Sequence, residues 1–309
     1  MSDKEKWGFI INPVAGSGFA EEYAGIVQEK IKQHSLSAPV IFTEKKGHAT
    51  QISKDFLNQG ITHIIAVGGD GTFNEAIQPL IDKQNVTFGA IPAGTGNDFI
   101  HILGFSDKFT DTEWEIFWQQ NTASMDVGKC NDRYFLNGMG LGFDAQVAAE
   151  NYEEENSKSV KKGGKNKYLW HILKTIMTYQ EQKMIIRHNG EESISHTFLN
   201  TVANGRRLAG GFYLTPDAIA NDNYLNVCRM EKLSRIKRLQ KLVRVMKQTH
   251  VNDPEVNYFL TKEISFEFDN DVPAHLDGEL YFASKFKVST APHALRVIFN
   301  PKGEHYFKQ

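Results

Sequence analysis

Covalent support is scarce in this 309-residue chain, whose two cysteines, Cys130 and Cys228, lie far apart and at no metal-ligand spacing. Both read as buried free thiols in a reducing compartment. Histidine pairs at metal-binding spacing are also missing, which argues against a zinc hydrolase. His48, His63 and His101 read as surface or packing residues. No stretch approaches the roughly 18 uncharged apolar residues that a membrane span requires. Met1-Ser2-Asp3-Lys4-Glu5-Lys6 runs into a strand-like segment with no signal-peptide pattern. The expectation is a cytoplasmic protein whose membrane contact, if any, is peripheral to the inner face. A formal net charge of -2 provides no global field for nucleic acid, so no such partner is expected. What is present is an ordinary globular composition, 40% hydrophobic and 23% charged, over a length that suits two domains.

The pattern of apolar runs changes near residue 127. Before it, Trp7–Ile11, Val40–Phe42, Ile64–Val67 and Phe88–Ile91 are short apolar strands. Helical periodicity covers Phe19–His34, His48–Asn58 and Thr72–Leu80 between them. Continuous apolar strands alternating with helices predict a doubly wound α/β sheet covered on both faces. Ligands of such sheets sit beyond the carboxyl ends of the strands. After residue 127 strands and turns prevail, with candidates at Thr197–Leu199, Leu225–Val227, Ile264–Phe268 and Leu295–Phe299. Ile264–Phe268 alternates with period two, as a half-buried antiparallel strand does. Helices are expected near Tyr168–Tyr179 and Leu233–Gln248, and the polar run Asn151–Lys167 reads as a mobile loop.

Three of the first-domain strands are followed by glycine loops. Asn12-Pro13-Val14-Ala15-Gly16-Ser17-Gly18 follows the first, Gly68-Gly69-Asp70-Gly71-Thr72 the third, and Pro92-Ala93-Gly94-Thr95-Gly96-Asn97-Asp98 the fourth. Glycine lets main-chain N–H groups approach a ligand with no Cβ in the way, and a following helix adds positive potential. Such loops at one sheet edge favour a polyphosphate. They are neither a Walker A motif, for want of Gly-Lys-Ser/Thr, nor a dinucleotide fingerprint. A carboxylate at Asp70 would repel phosphate unless Mg²⁺ lay between them. Asp98 repeats that logic, with a simple helix cap as its alternative.

The order of these loops resembles the diacylglycerol kinase catalytic-domain family, and the length resembles its bacterial soluble lipid kinases. Asn12-Pro13-x-x-Gly16, Gly68-Gly69-Asp70-Gly71-Thr72 and Gly94-Thr95-Gly96-Asn97-Asp98-Phe99 carry the likeness. Asp126-Val127-Gly128-Lys129, Gly138-Met139-Gly140-Leu141-Gly142-Phe143-Asp144-Ala145, Pro216-Asp217-Ala218 and Leu276-Asp277-Gly278-Glu279 extend it. The resemblance implies an N-terminal three-layer α/β nucleotide-binding domain, a C-terminal β-sandwich and a nucleotide cleft. Domain bounds of 1–127 and 128–295 are expected, with the chain end, about 296–309, returning to the first. Ile100-His101 departs from the family's Ala-Arg, and Asp222-Asn223-Tyr224 from its Asp-Asp-Gly.

The resemblance further implies an ATP- and Mg²⁺-dependent kinase acting on a lipid hydroxyl. Asn12, Pro13, Gly16, Gly68, Gly69, Gly71, Thr72, Gly94, Thr95, Gly96 and Asn97 would hold ATP. Asp70, Asp98 and Asp126 would hold Mg²⁺, with Asp217 and Asp222 as a weaker second site. Glu279 is the expected general base and Asp70 its alternative, while Asp277-Gly278 alone would suggest only a hairpin turn. Asn74 and Glu75 either face the nucleotide or lie on an ordinary helix surface. Residues 232–247 combine Lys232, Arg235, Lys237, Arg238, Lys241, Arg244 and Lys247 with the stripe Leu233, Ile236, Leu239, Leu242, Val243 and Met246. They suit either an anionic lipid surface or a packing helix with a solvated basic face, and the packing helix is the expectation. Competing readings are an NAD kinase-like enzyme and a non-catalytic nucleotide or lipid sensor. A homodimer stays open.

Overall fold

The computed structural model describes residues 5–94, 96–156, 165–209 and 211–308. One compact unit comprises Met1–Val127, Ile219–Asn223 and Ala291–Gln309. Its elements are β1 (Trp7–Ile11), α1 (Phe19–Gln33), β2 (Val40–Phe42), α2 (His48–Asn58), β3 (His63–Gly68), α3 (Asp70–Ile77), β4 (Thr87–Pro92), α4 (Asp98–Ile102) and α5 (Asp111–Trp118). Strand β5 (Thr122–Cys130) runs out of this unit. The sheet order is β2-β1-β3-β4, all parallel, and the end of the last strand of the chain adds to β4 through Arg296 and Val297. Every residue of β1, β3 and β4 is buried, which is why these strands read as unbroken apolar runs.

Helix α5 was not expected from periodicity. Its N-terminus is a capping box, with Thr110 accepting from the Glu113 N–H and Glu113 returning the bond. Phe117 then packs with Phe105, and Trp114 with Phe109 and Trp118. Trp114, Phe117 and Trp118 do stand at helical spacing, but eight residues are too short a run for that period to mark the helix.

The second unit comprises Gly128–Ala218 and Tyr224–Thr290. It contains β6 (Arg133–Phe135), β7 (Gly138–Gly142), α6 (Phe143–Asn156), α7 (Lys165–Thr178), β8 (Lys183–His188), β9 (Glu191–Ala203), β10 (Leu225–Glu231), α8 (Arg235–Met246), β11 (Val256–Thr261), β12 (Glu263–Leu276) and most of β13 (Glu279–Ile298). The strands pair antiparallel in the order β11-β10-β9-β7-β12-β13, with β8 between β9 and β12 at its own end. It is the β-sandwich domain. Phe135, Leu141, Met184, Val202, Val227, Phe266 and Phe286 fill its interior. A second core lies where α6, α7 and α8 cover β9 and β10, through Val147, Ile176, Phe198, Met230 and Val245.

Two expectations change here. Asn151–Lys167 is not a loop throughout, since α6 continues to Asn156 and α7 begins at Lys165; residues 157–164 lie outside the described residues. And α8 does not turn its whole apolar stripe inward. Leu233 and Val245 are buried, but so are Arg238 and Lys241, while Ile236, Leu239, Val243 and Met246 face solvent. Acid partners on neighbouring segments, Glu181, Asp253 and Glu255, set this orientation.

Candidate phosphate-binding site

The glycine loops of the first unit meet at the carboxyl ends of β1, β3 and β4. The Asn12 N–H donates to the Val67 carbonyl at 3.0 Å, and the Asn12 amide donates to Thr72 Oγ1 at 2.9 Å. Those bonds join the first loop to the second. The second meets the third main chain to main chain. A Cβ on Gly94 would lie 2.5 Å from the Gly69 Cα, and a Cβ on Gly68 would lie 2.6 Å from Thr72 Oγ1. Neither position tolerates a side chain without moving backbone or the Thr72 contact. Asn97 closes the third loop by accepting from the Gly94 N–H and donating to its carbonyl, both at 3.2 Å. Gly16 takes φ 59, the left-handed turn that glycine allows at little cost. Thr95 lies outside the described residues.

Asp70 bridges the second and third loops. Its two carboxylate oxygens accept from the Asp98 and Phe99 N–H groups, each at 3.0 Å. These are the first donors of α4, which have no partner within their own helix. A negative side chain at a helix start is favoured by both hydrogen bonding and the helix dipole. Asp98 itself is buried. The Asp98 main chain is therefore held against the Asp70 carboxylate.

Asp126 accepts from other segments of the chain. It is fully buried, and its carboxylate accepts from the Asn223 N–H at 2.6 Å and the His293 N–H at 2.7 Å. It ties residues 219–223 and the start of the returning chain end to β5. Asp70, Asp98 and Asp126 were expected to hold Mg²⁺, and among the described residues no three His, Cys, Asp or Glu side chains form a ready-made metal group. Of the second pair, the Asp217 N–H donates to the Tyr258 hydroxyl. Asn223 does take φ 70, as its left-handed tolerance suggests. Glu75 points away from the loops, accepting from the Gly47 N–H at 2.8 Å.

In the second unit, Asp277 and Gly278 take φ 50 and φ 87 between the paired residues Leu276 and Glu279, a two-residue hairpin of mirror-image turn type. The Asp277 carboxylate accepts from the consecutive N–H groups of Leu136, Asn137 and Gly138 at 2.7, 2.9 and 2.9 Å. Asn137 donates on to the Arg207 carbonyl at 2.8 Å, and its carbonyl accepts from the Asn204 N–H. Glu279, half-buried at the first position of β13, thus stands on a turn anchored by charge-assisted bonds.

Comparison with known proteins places this geometry. Residues 6–130 match the diacylglycerol kinase catalytic domain, and residues 122–299 match the YegS C-terminal NAD kinase beta sandwich-like domain. The chain belongs to the diacylglycerol kinase family of the YegS lipid kinase type. It is 28% identical over 273 residues to a diacylglycerol kinase of Staphylococcus saprophyticus, covering 87% of each chain. A diacylglycerol kinase of Bacillus subtilis is 26% identical over 274 residues, covering 87% of this chain and 88% of its own. The crystal structure of a diacylglycerol kinase from Bacillus anthracis superposes with a TM-score of 0.77 at 25% identity, over 97% of this chain and 99% of that one.

Within this family member, one polar pair had no sequence signal. His275 Nε2 lies 3.2 Å from Asp144 Oδ2, across 131 positions of the chain. Gly140 lies against both, and a Cβ there would collide with each side chain. The adjacent run Gly138–Ala145 belongs to the family pattern, yet nothing in it points to a histidine on β12.

Proposed function

We propose that this protein is an ATP- and Mg²⁺-dependent lipid kinase. It would transfer the γ-phosphoryl group to a hydroxyl of diacylglycerol or a related lipid alcohol. The observation that carries the reading is the approach of Gly69 to Gly94, with the Asn12–Thr72 bond beside it. It packs the main chain of separate loops together at one rim of a parallel sheet, the setting in which backbone N–H groups bind phosphate. The names of the relatives support diacylglycerol as the acceptor.

The residues present fit a magnesium ion. Mg²⁺ takes oxygen ligands, keeps several waters, and is held by one or two carboxylates together with substrate phosphates. Asp70 and Asp98, with Asp126 as the third expected carboxylate, would meet that need. When bound, the ion would neutralise charge on the transferred group. Asn12 and Thr72 would orient the triphosphate, and Glu279 would take the proton of the acceptor hydroxyl, with Asp70 the other candidate. A lipid acceptor is met at a bilayer, so the protein would work as a peripheral enzyme.

The test is a transfer assay with γ-labelled ATP and Mg²⁺ against diacylglycerol, monoacylglycerol, a sphingoid base, undecaprenol and NAD⁺. Label is expected in a lipid. Asp70→Asn keeps an acceptor oxygen for α4 and is expected to stay folded by circular dichroism, with turnover down roughly 10²-fold or more. Label in NAD⁺ alone, or full activity in the variant, would overturn the reading.

A further inference from the structure

Helix α8 turns charge inward and apolar side chains outward. Arg238 and Lys241 are 5% and 6% exposed, whereas Ile236, Val243 and Met246 are 71%, 51% and 58% exposed. Leu239 joins them at 37%. Spacings of three, four and three residues put these four apolar side chains on one helix face. The inward cations are fully engaged. Arg238 donates to the Ile176 and Tyr179 carbonyls at 2.8 and 3.0 Å and to Glu181 at 2.7 Å. Lys241 donates to Asp253 at 2.5 Å and to Glu255 at 2.7 Å. A buried cation is tolerated only with such partners, and losing them would be the cost of rolling the helix over. The outward stripe is therefore held in place by ion pairs beneath it. On the neighbouring α7, Leu173 and Met177 are exposed one turn apart. An exposed apolar stripe of this kind on a folded domain marks an interaction site.

Charge selects the partner. Lys232, Arg235, Lys237, Arg244 and Lys247 are exposed around the stripe, and no Asp or Glu occurs from Lys232 to Asn252. The nearest acids on either side are Glu231, paired with Arg229, and Asp253 and Glu255, paired with Lys241, Arg244 and Lys237. The whole chain carries a formal net charge of -2, so this basic rim is a local feature and not a general one. An apolar stripe rimmed by cations complements a surface with an apolar interior and negative headgroups.

We propose that the outward face of α8 seats the protein on an anionic lipid bilayer, with Ile236, Leu239, Val243 and Met246 entering the acyl boundary and Lys232, Arg235 and Lys247 among the headgroups. The choice of a bilayer over a protein groove rests on the lipid-acceptor reading above as well as on the charge pattern.

The experiment is co-sedimentation of the full chain with phosphatidylcholine vesicles with and without phosphatidylglycerol, in the absence of ATP. The wild type is expected to partition onto the anionic vesicles and to be released as salt shortens electrostatic reach. Ile236→Asp with Val243→Asp should lower that partition about tenfold or more, because two acyl-boundary contacts become charged. Lys232→Glu with Arg235→Glu and Lys247→Glu should lower it as well and remove its salt dependence. All five positions are exposed, so thermal midpoints should match the wild type. Wild-type protein that ignores anionic vesicles, or an apolar-face variant that partitions normally, overturns the proposal. So does a wild-type dimer in sedimentation velocity that Ile236→Asp with Val243→Asp splits, since a second copy then covers the face. Phosphorylation of detergent-dispersed lipid without vesicle binding would remove only the docking face, and vesicle binding without phosphorylation of any lipid would remove only the kinase reading.

Discussion

Asp70 and Asp126 each accept two main-chain N–H groups, but from different kinds of donor. Those on Asp70 come from the start of α4, beside glycine main chain that carries no side chains. Those on Asp126 come from residues 223 and 293, nearer the surface, and the fully buried carboxylate joins these segments of chain. Hydrogen bonds to an ionised carboxylate contribute roughly 1.5–3 kcal/mol each, enough to make Asp126 a fastening point. Glu279 has a third situation, on a turn whose own aspartate is fully engaged with Leu136, Asn137 and Gly138. Glu279→Gln preserves size and leaves Asp277 untouched. It is expected to bind ATP as the wild type does while transfer to lipid is lost, measured by nucleotide titration alongside the transfer assay. Parallel loss of both would make Glu279 structural.

Among elements, the glycine loops and α8 show how contacts between segments overrule local pattern. Gly94 and Gly69 approach so closely that backbone, not a flexible side chain, is the obstacle to any Cβ. Gly94→Ala must push the second and third loops apart. Overpacking of this kind costs about 1–3 kcal/mol, and the displaced amides would weaken nucleotide binding. The expected outcome is a lower thermal midpoint together with a raised Kd for ATP. An unchanged Kd at reduced stability would detach the loops from phosphate binding. In α8, Ser234 caps the first turn by accepting from the Lys237 N–H, so start and direction are local properties. Its rotation about its own axis is not set within the helix, because Glu181 lies 57 residues from Arg238 and Asp253 lies 12 residues from Lys241.

For the molecule as a whole, two buried histidines set a pH dependence. Burial lowers the pKa of His63 in the first unit and of His250 in the second from the ordinary 6.5. His250 Nε2 lies 3.1 Å from the Leu214 carbonyl, and its buried Nδ1 has no partner to receive a second proton's bond. The unfolded chain therefore binds protons more readily than the folded one as pH falls below 6.5. Stability from these groups is complete above that value and is lost on acidification toward the lowered folded values. Thermal midpoints are expected to fall from pH 7 to pH 5, and His250→Gln to flatten part of that fall, as scanning calorimetry across the range would measure. Identical slopes in both proteins would assign the effect elsewhere. Cys130 and Cys228 are both buried, with thiols pushed up to about 12, and are not nucleophiles at these pH values.

Local order alone specified much of the first unit. Helix His48–Asn58 follows from its periodicity to the residue, and β1, β3 and β4 from their unbroken apolar runs. The glycine loops and the Asp277-Gly278 turn were legible because the conformations they require are properties of those residue types. What waited for the folded chain was pairing over distance: Asp126 with residues 223 and 293, Asp144 with His275, and the acids that turn α8 inside out. Backbone preference and periodicity act over a few residues. The partner that satisfies a buried charge is chosen by the fold, which brings together groups that no spacing along the chain connects.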